Sequence, residues 1–120
     1  MTGYDFVNSG QGRLGLLSFG EGSFSALNTK VINLNKWYMI TTVYKADLQQ
    51  ISFYINGVSD NTVYGTPSPN PSVTADLYMG KDNPQVPSTG YFLRGTLDDL
   101  RIYNRALDGD EIKKLYNLTH

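Results

Sequence analysis

The chain has 120 residues, 40% of them hydrophobic and 18% charged, which is the composition of one soluble globular domain with a modest core. Its net charge of -1 gives no electrostatic reason to expect a nucleic acid or an anionic membrane as partner, and no run approaches the ~18 apolar residues of a membrane span. The absence of cysteine excludes a disulfide framework and thiolate metal sites, although it leaves secretion open.

The first half of the chain contains four stretches that predict short strands. They are rich in apolar, aromatic or β-branched residues and lie at 14–19, 24–27, 30–34 and 37–45. The last stretch, WYMITTVYK, contains neither glycine nor proline and is the strongest of the four. We therefore expect residues 37–45 to form a central strand of a sheet.

A hairpin is predicted in the middle of the chain. After a turn at 46–48, residues 50–56 alternate between apolar and polar side chains. The residues on the apolar face are Ile51, Phe53 and Ile55. The pair Asn56-Gly57 then favours a type I′ turn, because both turn positions need a positive φ. Residues 58–64 are thus expected to return as the partner strand.

The following part of the chain alternates loops with strand candidates. Residues 65–72 are rich in proline and can form neither a helix nor a central strand. Residues 73–80 predict a strand, 81–89 a polar loop, and 91–93 the approach to a final strand. Strands at such regular spacing, with turns between them and no internal helix, indicate an antiparallel β-sandwich.

The final strand is predicted between Thr96 and Tyr103, where the side chains alternate. The alternation places Asp98 on the same face as Leu100 and Ile102. We expect this to be the core face, so that Asp98 points inward.

A short helix is predicted after the final strand. Asp108 and Glu111 have the spacing of a capping box, in which each side chain accepts a hydrogen bond from the backbone N–H of the other residue. Leu107 and Ile112 are placed to close a hydrophobic staple. The residues of one helix face are Ile112, Leu115 and Tyr116. Because so short a helix is marginal alone, we expect this face to dock on a sheet.

Three segments are similar to sequence patterns of a known family of β-sandwiches. They are 34–40 (LNKWYMI), 51–58 (ISFYINGV) and 95–107 (GTLDDLRIYNRAL), the last continued by the helix residues. Together they resemble the laminin-G-like group of the concanavalin A-like lectin/glucanase superfamily. The resemblance implies an all-β fold, an antiparallel jelly-roll β-sandwich with a short C-terminal helix, with residues 1–120 as a single domain.

The resemblance has one departure. Members of the family usually have a further strand and hairpin before the segment that resembles residues 14–19, and this chain has no room for them. Either the domain is a compact version with shorter sheets, or the opening strands come from elsewhere in a parent chain or from a neighbouring subunit. Missing strands expose a sheet edge, and exposed edges pair with other chains. The second alternative therefore predicts a homo-oligomer or contacts with other domains of the parent chain.

Asp98 is the metal candidate that the resemblance implies. Related jelly rolls often hold a structural calcium with an aspartate at the matching position, together with backbone carbonyls. A charge that points into a core must be paired, hydrogen-bonded or metal-bound, and calcium takes six to eight oxygen ligands. In the family some of those oxygens come from the opening strand that is missing here. The alternative is an Asp98 satisfied by backbone amides, by Arg94 or by Arg105.

Asp82, Asn83, Trp37 and Tyr91 are the candidates for binding a carbohydrate. Family members often carry binding groups in loops such as 81–89, where a carboxylate and an amide chelate sugar hydroxyls. Asx residues before a proline also start turns, and this simpler interpretation is favoured for Asp82 and Asn83. Trp37 offers a ring on which a sugar can stack, although a tryptophan that enters a strong strand more often belongs to the core. Tyr91 is one of several tyrosines in or beside strands that would extend an aromatic surface.

The sequence offers little for catalysis. His120, the only histidine, is the terminal residue. Related jelly-roll glycosidases carry closely spaced acids on one strand as nucleophile and acid/base, whereas the only glutamates here are Glu21 and Glu111. Asp98 and Asp99 are expected to point to opposite faces and cannot act as a pair. We therefore expect no enzyme activity.

The resemblance implies a non-catalytic carbohydrate-binding or adhesion module of a larger extracellular, cell-surface or virion-surface protein. Its partner would be a glycan or a surface polysaccharide. The alternative is a structural or assembly domain, such as part of a phage fibre, a capsid or a surface layer, that acts through protein–protein contacts. Neither nucleic acid nor membrane insertion is expected.

Overall fold

A computed structural model describes residues 2–3, 15–18, 24–27, 29–65, 79–80 and 93–119. They belong to two compact units, one formed by Met1–Pro69 with Asn104–His120 and the other by Asn70–Tyr103. The strands and the helix are β1 (Thr2–Gly3), β2 (Gly15–Ser18), β3 (Phe24–Leu27), β4 (Ile40–Lys45), β5 (Gln50–Ile55), β6 (Val58–Tyr64) and α1 (Gly109–Thr119), all in the first unit. Within the described ranges, no helix has the length and apolar character needed to cross a membrane.

Among the described residues, the strands form two antiparallel sheets, each with three strands in chain order, β1-β2-β3 and β4-β5-β6. The predicted strands at 24–27, 50–56 and 58–64 are confirmed, and β2 lies within the stretch predicted at 14–19. The antiparallel β architecture with a C-terminal helix is therefore present. The connections that define a jelly roll lie partly outside the described residues, so that topology stays a prediction.

One strand prediction in the first half of the chain is wrong, and a second is confirmed only in part. Residues 30–34 lie in a loop, and the stretch 37–45 forms a strand only from Ile40 onward. In the described sheet this strand has an outer position, with β5 in the middle. Asn35 lies between the two stretches and has a φ of 59°, a left-handed conformation that interrupts an extended chain.

The turn between β5 and β6 has the predicted type I′ character. Asn56 has a φ of 51° and Gly57 a φ of 76°. A Cβ atom on Gly57 would lie 3.0 Å from Cβ of Tyr116 and 3.3 Å from Cα of Lys113. The helix therefore packs directly on this turn, and glycine satisfies a backbone requirement and a packing requirement at the same position.

The middle strand β5 has buried side chains on both faces. The residues of its predicted apolar face, all almost fully excluded from solvent, are Ile51, Phe53 and Ile55. On the opposite face, Tyr54 packs with Val43 of β4 against the buried Leu107 and Ile112. The helix thus covers one face of this sheet. The opposite face, which carries Ile51, Phe53 and Ile55, is also buried, as a layered β fold requires.

Ser52 is a polar side chain buried on the face that the helix covers. Its hydroxyl oxygen lies 3.0 Å from Oγ1 of Thr62 on β6 and accepts a hydrogen bond from Nε2 of Gln50 at 3.2 Å. These contacts satisfy the hydroxyl, as burial of a polar group demands.

Helix α1 begins with the predicted capping box. The Glu111 N–H donates to Oδ1 of Asp108 at 2.8 Å, and the Asp108 N–H donates to Oε2 of Glu111 at 2.9 Å. Leu107 and Ile112 are both buried in one cluster, with Leu115 packed against it. The staple and the docking of this helix on a sheet are therefore confirmed.

Arg105 reinforces the cap through an ion pair with Glu111. Its two terminal nitrogens donate to the two carboxylate oxygens at 2.9 and 2.7 Å, a bidentate arrangement. The guanidinium of Arg105, followed by the backbone N–H of Asp108, lowers the pKa of Glu111 from its ordinary value of 4.5 to about 2. Glu111 is therefore ionised at neutral pH.

We expect the stability gained from Glu111 to depend on pH. Because its pKa is lower in the folded than in the unfolded chain, the contribution is complete above the unfolded pKa of 4.5 and is lost as the pH falls through about 2. Thermal melting midpoints of the wild type and of Glu111→Gln should differ at about pH 6 and converge near about pH 2. Asp110→Asn removes an acid from the same helix turn without touching Arg105, and it should show a smaller difference. A gap for Glu111→Gln that persists unchanged in acid would contradict the assignment.

In the second unit, residues 96–103 do not form the predicted final strand. Asp99 has a φ of 53°, and its N–H donates to Oδ1 of the preceding Asp98 at 2.8 Å. This local hydrogen bond competes with a strand ladder and stabilises a bend in the chain. The alternation is interrupted there, and Leu100 and Ile102 are exposed instead of lying on a core face.

Candidate functional site

Residues 29–39 form a loop that leads into β4, and a single carboxylate holds its beginning. The Thr29 N–H donates to Oδ2 of Asp60 at 2.7 Å, while the Thr29 hydroxyl and the Lys30 N–H donate to Oδ1 at 2.9 and 3.0 Å. Charge-assisted hydrogen bonds of this kind are strong, and three of them fix both the position and the direction of the chain. We call residues 29–39 the pinned loop.

Asp60 faces the pinned loop because β6 is irregular at this point. Phe53 of β5 pairs with Asn61 and Tyr54 pairs with Ser59, so Asp60 is an extra residue between two ladder positions. Such a β-bulge bends the strand and re-aims a side chain out of the regular alternation. Because of the bulge, the carboxylate of a strand residue accepts hydrogen bonds from the start of the pinned loop and holds it in place.

The middle and the end of the pinned loop are also held. The backbone N–H and the side-chain amide of Asn33 donate to the Tyr38 hydroxyl oxygen at 3.3 and 3.4 Å. The Met39 N–H donates to Oδ1 of Asn56 at 2.9 Å, and the Asn56 N–H donates to the Met39 carbonyl at 2.8 Å. The loop is therefore attached to β6 at its start and to the β5–β6 turn at its end.

Trp37 lies in the pinned loop and is 64% exposed, and Leu34 of the same loop is 88% exposed. The interpretation of Trp37 as a core residue is therefore wrong. The reason is the position of Met39, which is bound to the hairpin turn and packs against the cluster that contains Val43. Met39 supplies the apolar contact at the entry to β4, and Trp37 stays in solvent on a held backbone.

The Tyr38 hydroxyl is the polar centre of the pinned loop. The Asn33 backbone N–H lowers the pKa of the Tyr38 phenol most, and the Asn33 side chain, Lys36 and Lys30 lower it further, while burial acts in the opposite direction. The two lysines act through their positive charges, so both lie near enough to influence the phenol. The phenol that follows Trp37 in the sequence therefore lies in a positive environment.

The other predicted sugar-binding residues, Asp82, Asn83 and Tyr91, lie outside the described residues, so their role stays a prediction. Asp98, the predicted metal ligand, is described, and its side chain is exposed rather than directed into a core. One of its carboxylate oxygens accepts from the Asp99 N–H, which is the backbone-amide alternative considered for it. Calcium binding at Asp98 stays a prediction. In the described part of the chain, no group of three or more acidic, histidine or cysteine side chains is placed to hold a metal ion.

Asp60 is the residue of this site that sequence reasoning missed. Residues 58–64 were predicted as a plain return strand, and the strand is confirmed. The sequence does carry one indication of the bulge, the polar run Ser59-Asp60-Asn61 inside that strand, because aspartate and asparagine are depleted in regular strands. Its partner, Thr29, is 31 residues away in sequence, and no local pattern connects the two.

Comparison with known proteins gives the chain a family and a structural neighbour. The family model for laminin-G-type domains, described as the concanavalin A-like lectin/glucanases superfamily, matches residues 2–113. A crystal structure of a fragment of an S-layer domain-containing protein from Clostridium thermocellum is similar, with 25% sequence identity and a TM-score of 0.59. The match covers 97% of this chain and 62% of that one, so this chain spans less than two thirds of its neighbour. No curated protein matches.

The family match extends over almost the whole chain and agrees with the antiparallel sheets, the Asn-Gly hairpin and the docked C-terminal helix. The chain belongs to the concanavalin A-like lectin/glucanase superfamily, within its laminin-G-type group.

Proposed function

We propose that this chain is a non-catalytic carbohydrate-binding module of an extracellular or cell-surface protein, built on a jelly-roll sandwich. The observation that carries the proposal is Trp37, which is 64% exposed on a loop attached to the sheet at both ends. The superfamily includes lectins, and the structural neighbour comes from a protein named for its S-layer domain, which supports a surface location.

A held tryptophan suits sugar binding for a physical reason. The indole ring offers a large flat apolar face against which the C–H face of a sugar ring can pack, and its N–H remains available to a hydroxyl. Because Asp60 and Asn56 hold the backbone before binding, little conformational entropy is lost when a ligand stacks on the ring. The pinned loop thus combines an exposed aromatic ring for stacking with a backbone that is already ordered before a ligand binds.

The state of Glu111 supports a module without catalytic activity. A glycosidase acid must hold a proton near neutral pH, which requires a raised pKa. The pKa of Glu111 is instead lowered to about 2, and its carboxylate is occupied by Arg105 and by the Asp108 N–H. Glu111 serves the helix cap rather than a reaction.

We expect Trp37→Ala to weaken polysaccharide binding, measured by calorimetric titration, about tenfold to a hundredfold, since burying an aromatic ring contributes about 1.5–3 kcal/mol. Trp37 is the only tryptophan, so its fluorescence reports directly on the site. A polysaccharide that stacks on the ring should shift the emission of the wild type and protect it from acrylamide quenching. Tyr64→Ala removes another exposed aromatic residue, at the end of β6, and should leave the fluorescence response and the affinity unchanged.

A second function, assembly through protein–protein contacts, is favoured by the second unit. Its exposed apolar side chains include Met79, Leu97, Leu100 and Ile102, and the structural neighbour is part of an S-layer domain-containing protein. Experiments on the wild type and one variant distinguish the two functions. Two results together would replace the carbohydrate proposal with the assembly one. The wild type would show no fluorescence response to any glycan, and light scattering would show oligomers that Ile102→Lys disrupts.

A further inference from the structure

The turn between β5 and β6 contains a chemically reactive pair of residues. Asparagine is a thermolabile residue, because its side-chain amide can react with the backbone nitrogen of the residue that follows it. Glycine leaves that nitrogen unhindered, since it has no Cβ atom. Asn56-Gly57 is the only asparagine–glycine pair in the sequence, and every other asparagine is followed by a residue with a side chain. The sequence therefore singles out Asn56 for this reaction.

The reaction is a deamidation in two steps, and neither step changes an oxidation state. In the first step the Gly57 nitrogen gives up its proton and attacks Cγ of Asn56. A C–N bond forms, the bond from Cγ to Nδ2 breaks, and ammonia carries the proton away, which leaves a five-membered succinimide ring. In the second step water opens the ring at one of its two carbonyl carbons and gives either aspartate or isoaspartate.

The folded turn keeps Asn56 out of this reaction. Its Oδ1 accepts a hydrogen bond from the Met39 N–H at 2.9 Å, and its own N–H donates to the Met39 carbonyl at 2.8 Å. The succinimide ring includes the Cα–C bond of residue 56, and ring closure needs a ψ far from the small positive ψ at the first central residue of a type I′ turn. Asn56 must therefore leave both the turn conformation and Met39 before the ring can form.

Helix α1 covers the attacking residue of this reaction. A Cβ atom on Gly57 would lie 3.3 Å from Cγ of Tyr116 and 3.3 Å from Cα of Lys113, so the turn has little room to rotate beneath the helix. Local opening, in which α1 and the turn separate, supplies the freedom that ring closure needs. The population of this open form should set the rate.

We propose that Asn56 is a modification site at which the chain converts itself to aspartate and isoaspartate, and that docking of α1 on the β5–β6 turn controls the rate. The reaction takes only water as a partner. Neither step needs a bound carbohydrate, so this site is independent of the proposed function.

The two products should affect the pinned loop differently. Aspartate keeps the normal backbone and offers a carboxylate oxygen in place of Oδ1, which can still accept from the Met39 N–H. Isoaspartate carries the main chain through the former side-chain carbon, so the turn gains a backbone atom and Met39 loses its acceptor. Isoaspartate at position 56 should therefore release the end of the pinned loop.

Peptide mapping by tandem mass spectrometry measures the deamidation rate at each asparagine during incubation of the full chain at mildly alkaline pH. We expect the rate at Asn56 to be at least about tenfold lower in the folded chain than in urea, because reaction through an open form follows its population. Asn35 is the internal control, since it is exposed and has a φ of 59° but is followed by lysine. In urea it should react more slowly than Asn56.

Variants of α1 show whether the helix controls the rate. Ile112→Ala weakens its docking on the sheet, and Tyr116→Ala removes the ring beside Gly57. Each should raise the rate at Asn56 about tenfold, whereas Leu118→Ala changes an exposed residue of the same helix and should leave it unchanged. Circular dichroism identifies the variants that stay folded, and the rates of these are compared.

The fluorescence of Trp37 reports the effect on the pinned loop. Chains with isoaspartate are separated by ion exchange and identified by methyl transfer from a protein isoaspartate methyltransferase. The acrylamide quenching of Trp37 should change in these chains. It should stay unchanged in Asn56→Asp, which carries the added charge on a normal backbone.

Three results would each overturn the proposal and leave the carbohydrate module in place. Equal rates at Asn56 and Asn35 in urea would show that Gly57 does not direct the reaction. Equal rates at Asn56 in the wild type and in the folded helix variants would exclude control by α1. Unchanged quenching in the isoaspartate chain would show that the modification does not release the loop.

Discussion

Replacing Ile112 by alanine should lower the free energy of unfolding by about 2–5 kcal/mol, the range for truncation of a fully buried aliphatic side chain. Ile112 is 0% exposed and packs with Val43 of β4 and Leu107 before the helix, with Met39 and Leu115 against the same cluster. The loss includes the transfer of the removed methyl and methylene groups and the cavity left between helix and sheet. Urea denaturation followed by circular dichroism measures it.

Leu118→Ala is the matched control for this prediction. Leu118 lies on the same helix but is 82% exposed, so its truncation removes little buried surface and should change stability by less than about 0.5 kcal/mol. Equal destabilisation by the two variants would mean that the buried contacts of Ile112 do not stabilise α1, since alanine has the higher helix propensity at both positions. Such a result would contradict the docking of the helix on the sheet.

The parts of the fold that sequence reasoning predicted correctly are those governed by local rules. The Asn56-Gly57 turn and the box formed by Asp108 and Glu111 each depend on residues that are close together in the chain. The alternation of β5 is similarly local, and its apolar face is buried as expected. A pattern of two to six consecutive residues is enough to specify each of these features.

The predictions that failed depend on backbone turns and contacts between distant residues. Asn35 and Asp99 both adopt a positive φ, which asparagine and aspartate tolerate better than other residues but which neither requires. The exposure of Trp37 follows from the clamp between Asp60 and Thr29 and from the binding of Met39 to Asn56. The position of Trp37 at the start of a strong predicted strand favoured a core tryptophan, because the alternative needs a loop held by residues from two other parts of the chain.

Replacing Gly57 by alanine should destabilise the chain by about 2–5 kcal/mol through two separate effects. A positive φ costs a residue with a Cβ atom about 1–2 kcal/mol, and forcing extra volume into a packed contact adds about 1–3 kcal/mol. Both apply here, since Gly57 has a φ of 76° and its added Cβ would lie 3.0 Å from Cβ of Tyr116 and 3.3 Å from Cα of Lys113. The helix backbone at Lys113 cannot give way without moving α1 from the sheet.

Gly65→Ala separates the two effects within the same protein. Gly65 also has a φ of 76°, but no atom lies within 4 Å of an added Cβ, so only the backbone cost of about 1–2 kcal/mol applies. The difference between the two variants in urea denaturation therefore measures the contact between the turn and the helix. Equal losses for Gly57→Ala and Gly65→Ala would show that this contact is not tight.

The same pair of variants connects the helix to the proposed binding site. Asn56, the first residue of the turn, holds Met39 through two hydrogen bonds, and Met39 ends the loop that carries Trp37. Alanine at position 57 displaces the turn and loosens that end of the loop. The quenching of Trp37 fluorescence by acrylamide should therefore change in Gly57→Ala and stay unchanged in Gly65→Ala. Polysaccharide affinity should fall with it even though Gly57 does not touch the ligand, because a less ordered loop loses more entropy on binding. An unchanged affinity in a folded Gly57→Ala chain would mean that the pinned loop does not need its attachment to the turn.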